Sequence, residues 1–239
     1  MTRQAAADGA RRGIEVSDLP AEITQEQAQA VIDADLKTGR TPRIGFYEVP
    51  VLREGGLTLV PATGEHAEVL RTLMHDRDVM LLTGSIQNSA RADRLANGEE
   101  EKEIAPAQLE EVYEDWSIAE DRAVWVIQER GRVVGEILLL DLDHKNLACG
   151  MRLWIAGETD RGLGPRAIEL ALAHAFDTVG LHRVALEVYD HNPRAKHVYE
   201  KLGFVLEGTL RDSLRLDEGW VDLHMMSMLR PEWEARRDR

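Results

Sequence analysis

Apolar positions recur at two different spacings along this chain, and the change of spacing marks out its elements. Ile168, Leu172, Ala175, Phe176 and Val179 fall at i, i+4, i+7, i+8 and i+11, which is one face of a helix that Gly180 stops. From residue 183 to 189 the period becomes two, with Val184, Leu186 and Val188 on one side of a strand. Asn192 and Pro193 then supply an N-cap and a first helical residue, and Gly203 a C-terminal stop followed by Phe204. Strands are expected over 204–210 and 221–228, joined through a turn at Asp217, Glu218 and Gly219.

Earlier in the chain, residues 57–60 read as a short strand and 65–74 as a helix carrying Val69, Leu70 and Leu73. The polar stretch 84–105, with Ser85, Asn88, Asn97, Gly98 and the run Glu99, Glu100, Glu101, predicts a long loop. Pro106 suits the first turn of a helix reaching about residue 118. Residues 123–128 and 133–140 read as an antiparallel hairpin turning at Gly131, and 149–156 as a third strand. Residues 1–50 read as an N-terminal arm packed on the main domain or on a partner subunit. Thr24 and Gln27 form a capping box for a helix over 25–37, with Gly39 as its stop. The main domain is expected over 51–230, and 231–239 is a polar tail.

Composition narrows the function classes. At 239 residues the chain suits one domain with an extension. A formal net charge of −14 disfavours a nucleic-acid binder that works by neutralising phosphates, and suits a cationic acceptor such as an amine, a polyamine or a basic polypeptide. No apolar run approaches 18 residues and the N-terminus has no apolar leader, so no membrane partner is expected. The single cysteine, Cys149, allows no intrachain disulfide and fits a reducing, cytoplasmic compartment; a small apolar residue on a strand is its simplest reading. The histidines show no metal-ligand spacing, so no metal is expected.

The candidate chemistry starts at Arg161, Gly162, Leu163, Gly164, Pro165 and Arg166, where an apolar strand passes through a glycine turn into the long helix. Such a turn presents free backbone N–H groups at the positive end of the helix dipole, which favours a phosphate. The Gly-Lys-Ser/Thr of a Walker nucleotide site is absent. Downstream, Asn192, Pro193, Arg194 and Ala195 precede Val198, Tyr199, Glu200, Lys201, Leu202, Gly203 and Phe204, and a late Gly219, Trp220, Val221, Asp222 with Met225 closes the pattern.

In order and spacing these pieces resemble the GNAT superfamily of N-acetyltransferases, and most of all its RimJ/RimL-like branch of ribosomal-protein and polyamine acetyltransferases. The resemblance covers about residues 56–229. It implies an α/β (α+β) fold: a mixed, mostly antiparallel central sheet with helices on both faces and a splayed central strand pair. It also implies acetyl-CoA as cosubstrate, a primary amine as acceptor and a homodimer. By the same resemblance, the backbone amides from Arg161 through Gly162, Leu163, Gly164, Pro165 and Arg166 would hold the coenzyme pyrophosphate. The strand ending at Trp154 and Ile155 would bind the pantetheine amides, Asn192 would contact the pantetheine arm, and Tyr199 would protonate the departing thiolate. A tyrosine, with a reference pKa near 10, suits that last role because it stays protonated at neutral pH.

Several assignments stay open on the sequence. Arg166 stands where the pattern has a small residue; it would crowd the cofactor if it faced the turn, and an outward side chain pairing with a phosphate is the favoured expectation. Lys196 and Arg194 are candidates for the coenzyme 3′-phosphate. Glu136 and Glu187 are candidate general bases, beside a water relay with no dedicated base. The competing function is a non-catalytic acyl-CoA-binding or protein-interaction module of the same fold.

Overall fold

The computed structural model describes residues 44–100, 105–157 and 161–237; the helix expected over 25–37 lies outside them. Eight strands form one sheet in the order β1-β2-β3-β4-β5-β6-β8-β7. They are β1 (Leu52–Glu54), β2 (Leu57–Pro61), β3 (Ala123–Glu129), β4 (Arg132–Asp143), β5 (Ala148–Ile155), β6 (Arg183–Tyr189), β7 (Val205–Leu216) and β8 (Gly219–Leu229). Every pairing is antiparallel except β5 with β6. That parallel pair meets only where Ala148, Cys149 and Gly150 face Arg183, Val184 and Ala185. Beyond that point β5 holds to β4 and β6 to β8, so the middle of the sheet opens like a V.

Among the described residues seven α-helices accompany the sheet: α1 (Ala67–Leu73), α2 (Arg77–Leu82), α3 (Ser89–Ala96), α4 (Pro106–Ser117), α5 (Leu163–Ala173), α6 (Pro193–Leu202) and α7 (Arg230–Arg237). Strand β3 is buried on both sides, because its Trp125 and Ile127 join one core while Val124 and Val126 join another. The larger core contains the predicted stripe Ile168, Leu172, Ala175 and Phe176, the β6 positions Val184, Leu186 and Val188, and Ile44 and Phe46 from the segment before β1. The second core packs α1 and α4 on the opposite face through Leu70, Leu109 and Tyr113.

The expected long loop over 84–105 is corrected, since it contains α3. Asn88 caps that helix by accepting the Arg91 N–H at 2.7 Å, and Arg91 and Arg94 both pair with Glu100. Ala92 and Leu95 bury its one apolar edge against Met80 of α2. Two apolar anchors in eight residues leave too little periodic signal for sequence reading. The α2 segment was likewise unmarked: six residues complete fewer than two turns, and what fixes them is Asp76, whose Oδ1 accepts the N–H groups of Asp78 and Val79 at 3.0 and 3.1 Å. The helix expected from residue 65 starts as a 3₁₀ turn at Gly64–His66, and the long helix beyond α5 continues in π geometry through His174–Val179.

His174 sits in that π segment, 4% exposed, with both ring nitrogens unpartnered among the described residues and its ring packed against Phe46 and Trp125. Burial pushes its pKa down to about 4 from an ordinary 6.5, so the native state holds it neutral. The unfolded chain takes up the proton first as pH falls, so this site subtracts stability between pH 6.5 and 4, by about 2 to 3 kcal/mol at pH 4.5. Urea unfolding at pH 7 and 4.5 should show a smaller acid loss in His174→Leu than in the wild type; equal losses would remove His174 as the cause.

Candidate active site

The V between β5 and β6 opens into a cleft of about 580 Å³, within the range of small-molecule sites. Leu153, Trp154 and Ile155 form one side, Asn192, Pro193, Arg194 and Ala195 the other, and the first turn of α5 closes one end with Arg161, Gly162, Leu163, Gly164 and Pro165. Tyr199 and Val198 line it from α6, and α2 contributes Asp76, Asp78, Val79, Leu82 and Thr83.

The local sequence explains the end of the cleft at α5. Gly162 caps α5 in the left-handed region at φ 69°, a conformation glycine adopts without strain. Among the described residues no side chain caps this helix, which leaves its first N–H groups for another acceptor. Gly164 is not demanded by packing: a Cβ there would find only methyl carbons of Ile155 and Leu153 at 3.9 Å. A residue without a side chain, lining the cleft where the protein itself has room, fits a ligand whose phosphates approach the backbone closely. These residues therefore fit the coenzyme pyrophosphate.

Asn192 uses its Oδ1 to accept the Ala195 N–H at 3.1 Å, which caps α6. Its Nδ2 has no partner among the described residues and remains a donor towards the cleft. Tyr199 is 7% exposed, with its ring edge-on to Phe204 at 5.8 Å. Its hydroxyl makes no hydrogen bond among the described residues, and burial pushes the phenol up to about 12. It is therefore a protonated donor throughout the physiological range.

Two cofactor candidates lie apart from the cleft lining. Arg166 turns outward as expected, but onto β1, where its Nε meets Glu54 Oε2 at 3.2 Å and its Nη2 donates to the Glu54 carbonyl. Lys196 pairs with Glu200 one helical turn on, at 3.3 Å. Arg161 lines the cleft while its guanidinium pairs with Glu129 at the end of β3. Neither candidate base lines the cleft: Glu187 is exposed on β6, and Glu136 is 3% exposed beneath the sheet. Cys149 is buried, and burial pushes its thiol up to about 12, so it supplies no thiolate nucleophile.

Sequence reading missed Asp76, Asp78 and Val79 of the α2 wall, and His191. The imidazole of His191 lines the cleft and its Nε2 bonds the Leu81 carbonyl at 2.9 Å, while Asp76 Oδ2 accepts the Gly157 N–H at 3.0 Å. Through these two contacts α2 bridges the mouth of the V from the end of β5 to the end of β6. An aspartate cap ahead of a short apolar run was the available signal; the long-range contacts left none. Among the described residues no cluster of His, Cys, Asp and Glu could hold a metal, and no helix is long and apolar enough to cross a membrane.

Residues 56–205 match the acetyltransferase (GNAT) domain. The chain is 33% identical over 108 residues to the putative ribosomal N-acetyltransferase YdaF of Bacillus subtilis, across 45% of this chain and 59% of that one. It is 26% identical over 133 residues to a spermidine N(1)-acetyltransferase of Vibrio cholerae, across 55% and 77%. The crystal structure of spermidine N-acetyltransferase from Vibrio cholerae in complex with CoA and spermine superposes with a TM-score of 0.63 at 23% identity, covering 76% of this chain and 99% of that one. The match to YdaF thus spans under two thirds of that relative's length. With well over half its length matched and the splayed sheet in place, the chain belongs to the GNAT acetyltransferase family.

Proposed function

We propose that this protein transfers the acetyl group of acetyl-CoA directly to a primary amine held in the same cleft. The observation that carries the reading is the convergence on one V-shaped opening of a helix N-terminus, an Asn192 amide and a protonated Tyr199 hydroxyl, none of which has a side-chain partner at its free donors among the described residues. The α5 amides would hold the pyrophosphate, the free edge of β5 at Trp154 and Ile155 the pantetheine amides, and Asn192 the pantetheine arm. When bound, the coenzyme supplies the thioester. The amine nitrogen forms the new C–N bond as the C–S bond breaks, the Tyr199 hydroxyl gives its proton to the leaving sulfur, and the amine loses one proton through water to solvent, from which the phenol is reprotonated. Neither candidate carboxylate lines the cleft, so the water route is preferred to a dedicated base.

A cationic acceptor is the favoured class. Asp76 and Asp78 bring carboxylates to the α2 wall, the net charge is −14, and the relatives include proteins named for spermidine. Thiol release from acetyl-CoA, screened over polyamines, small amines and peptide N-termini with products identified by mass, tests this directly. Release with at least one cationic amine is expected. Calorimetric CoA binding without transfer to any acceptor would instead favour the non-catalytic acyl-CoA-binding module, and no CoA binding would overturn both.

A further inference from the structure

Helices α2 and α3 share a small core of their own, built on Met80, Ala92 and Leu95 and distinct from the two that flank the sheet. Hydrogen bonds join this pair to the strands at three places. Two have been described: Asp76 reaches the end of β5, and the Leu81 carbonyl meets His191 just after β6. The third is at the turn between β7 and β8. There Asp217 Oδ1 accepts the Asn88 side-chain amide at 2.8 Å, while its Oδ2 accepts the Ser89 backbone N–H at 2.7 Å and the Ser89 hydroxyl at 3.0 Å.

The formation of α3 does not require this contact, because Asn88 Oδ1 already caps the helix. Nor does close packing impose it: a hollow of about 430 Å³ lies beside it, with Ser85, Gln87 and Arg215 in its walls. The carboxylate stands at the positive end of the α3 dipole with both oxygens engaged. The Ser89 N–H and hydroxyl, with the Asn88 amide, hold its carboxyl below the usual aspartate range, so it stays ionised at neutral pH.

We propose that Asp217 is a positioning residue, which latches the α2–α3 pair from the β7–β8 turn and thereby sets where the α2 wall of the cleft stands. The pair rests on the strands at Gly84, where a Cβ would come within 2.8 Å of the Tyr189 ring and 3.1 Å of the Leu214 side chain. Asp76, Asp78, Val79, Leu82 and Thr83, which line the cleft, precede that rest point, and Asn88 and Ser89 follow it. A displacement at the latch is thus carried to the cleft side, where a misplaced wall weakens the hold on a reactant.

The effect on acetyl transfer rests on the proposed reaction, but the latch itself does not. Amide hydrogen exchange tests it in the protein alone. Asp217→Ala should speed exchange over residues 77–97 about tenfold and leave β3 and β4 unchanged. An exchange of partners makes the test specific to this contact. Asp217→Asn offers one acceptor to two donors, and Asn88→Asp sets two carboxylates against each other, so each alone should speed exchange. The double variant Asn88→Asp with Asp217→Asn again places one donor opposite one acceptor, and should return exchange to within about twofold of the wild type.

In acetyl transfer, Asp217→Ala should raise KM for the amine about fivefold, with kcat within about threefold and CoA affinity within about twofold. The double variant should regain the wild-type KM. Unchanged exchange in Asp217→Ala, or no recovery in the double variant, overturns the latch. Restored exchange with the amine KM unmoved in every variant overturns its link to the cleft. If no acceptor is found, the failure falls on the proposed reaction, and exchange still decides whether Asp217 holds the pair.

Discussion

Replacing Tyr199 with phenylalanine should lower kcat for acetyl transfer by about 100-fold and leave CoA affinity within about twofold of the wild type. The change removes only a hydroxyl. The ring keeps its packing against Phe204 and its place in the core, and because the hydroxyl has no partner among the described residues, none of them is orphaned by its loss. Thermal stability should therefore stay within about 0.5 kcal/mol of the wild type. What is lost is the proton for the leaving sulfur. General acids contribute about 10²- to 10⁴-fold, and a thiolate is a tolerable leaving group even unassisted, which places the expectation at the low end. Because burial lifts the phenol to about 12, the wild-type rate should show no alkaline loss from tyrosine ionisation below about pH 11. Steady-state rates together with calorimetric CoA binding separate the two effects. Unchanged turnover would remove Tyr199 from the chemistry, and a parallel loss of binding would make it a wall of the cleft.

The elements with strong period or punctuation were legible in the sequence. Strand β6 is found over the expected residues 183–189, and α6 begins and ends at the Asn192 cap and the Gly203 stop. The glycine turn at Arg161 lies some thirty residues before Asn192 and Tyr199 in sequence, yet all three line one cleft. What could not be read depends on contacts far apart in the chain. Arg166 goes to Glu54 because β1 lies beside α5, and Asp76 and His191 become cleft residues only because α2 spans the two diverging strands. The burial of Glu136 likewise depends on a distant element, since Tyr113 of α4 closes over it. Local periodicity reports which face of an element is apolar, and it carries nothing about which element will cover that face.

The splay itself depends on a backbone contact that a single methyl group should disrupt. At Gly135 on β4, the position of a Cβ falls inside the carbonyl oxygen of Trp154, with the Ile155 Cα at 2.9 Å and the Trp154 carbonyl carbon at 3.1 Å. All three are backbone atoms of β5, so no side chain can rotate away, and relief requires β4 and β5 to separate at the open end of the V. Gly135→Ala should therefore cost about 3 kcal/mol or more of stability. It should also weaken CoA binding by about tenfold, because the displaced residues, Trp154 and Ile155, line the cleft. Gly150→Ala on β5 is the matched control: its nearest neighbours would be the Leu140 carbonyl oxygen at 3.6 Å and Leu140 side-chain carbons at 3.7 Å, ordinary contacts. That variant should stay within about 1 kcal/mol of the wild type. Chemical denaturation and CoA calorimetry on the pair distinguish the contact from a general penalty for losing a strand glycine. Equal effects at both positions, or a Gly135→Ala protein that binds CoA normally, would show that the geometry of the opening does not depend on this approach of β4 to β5.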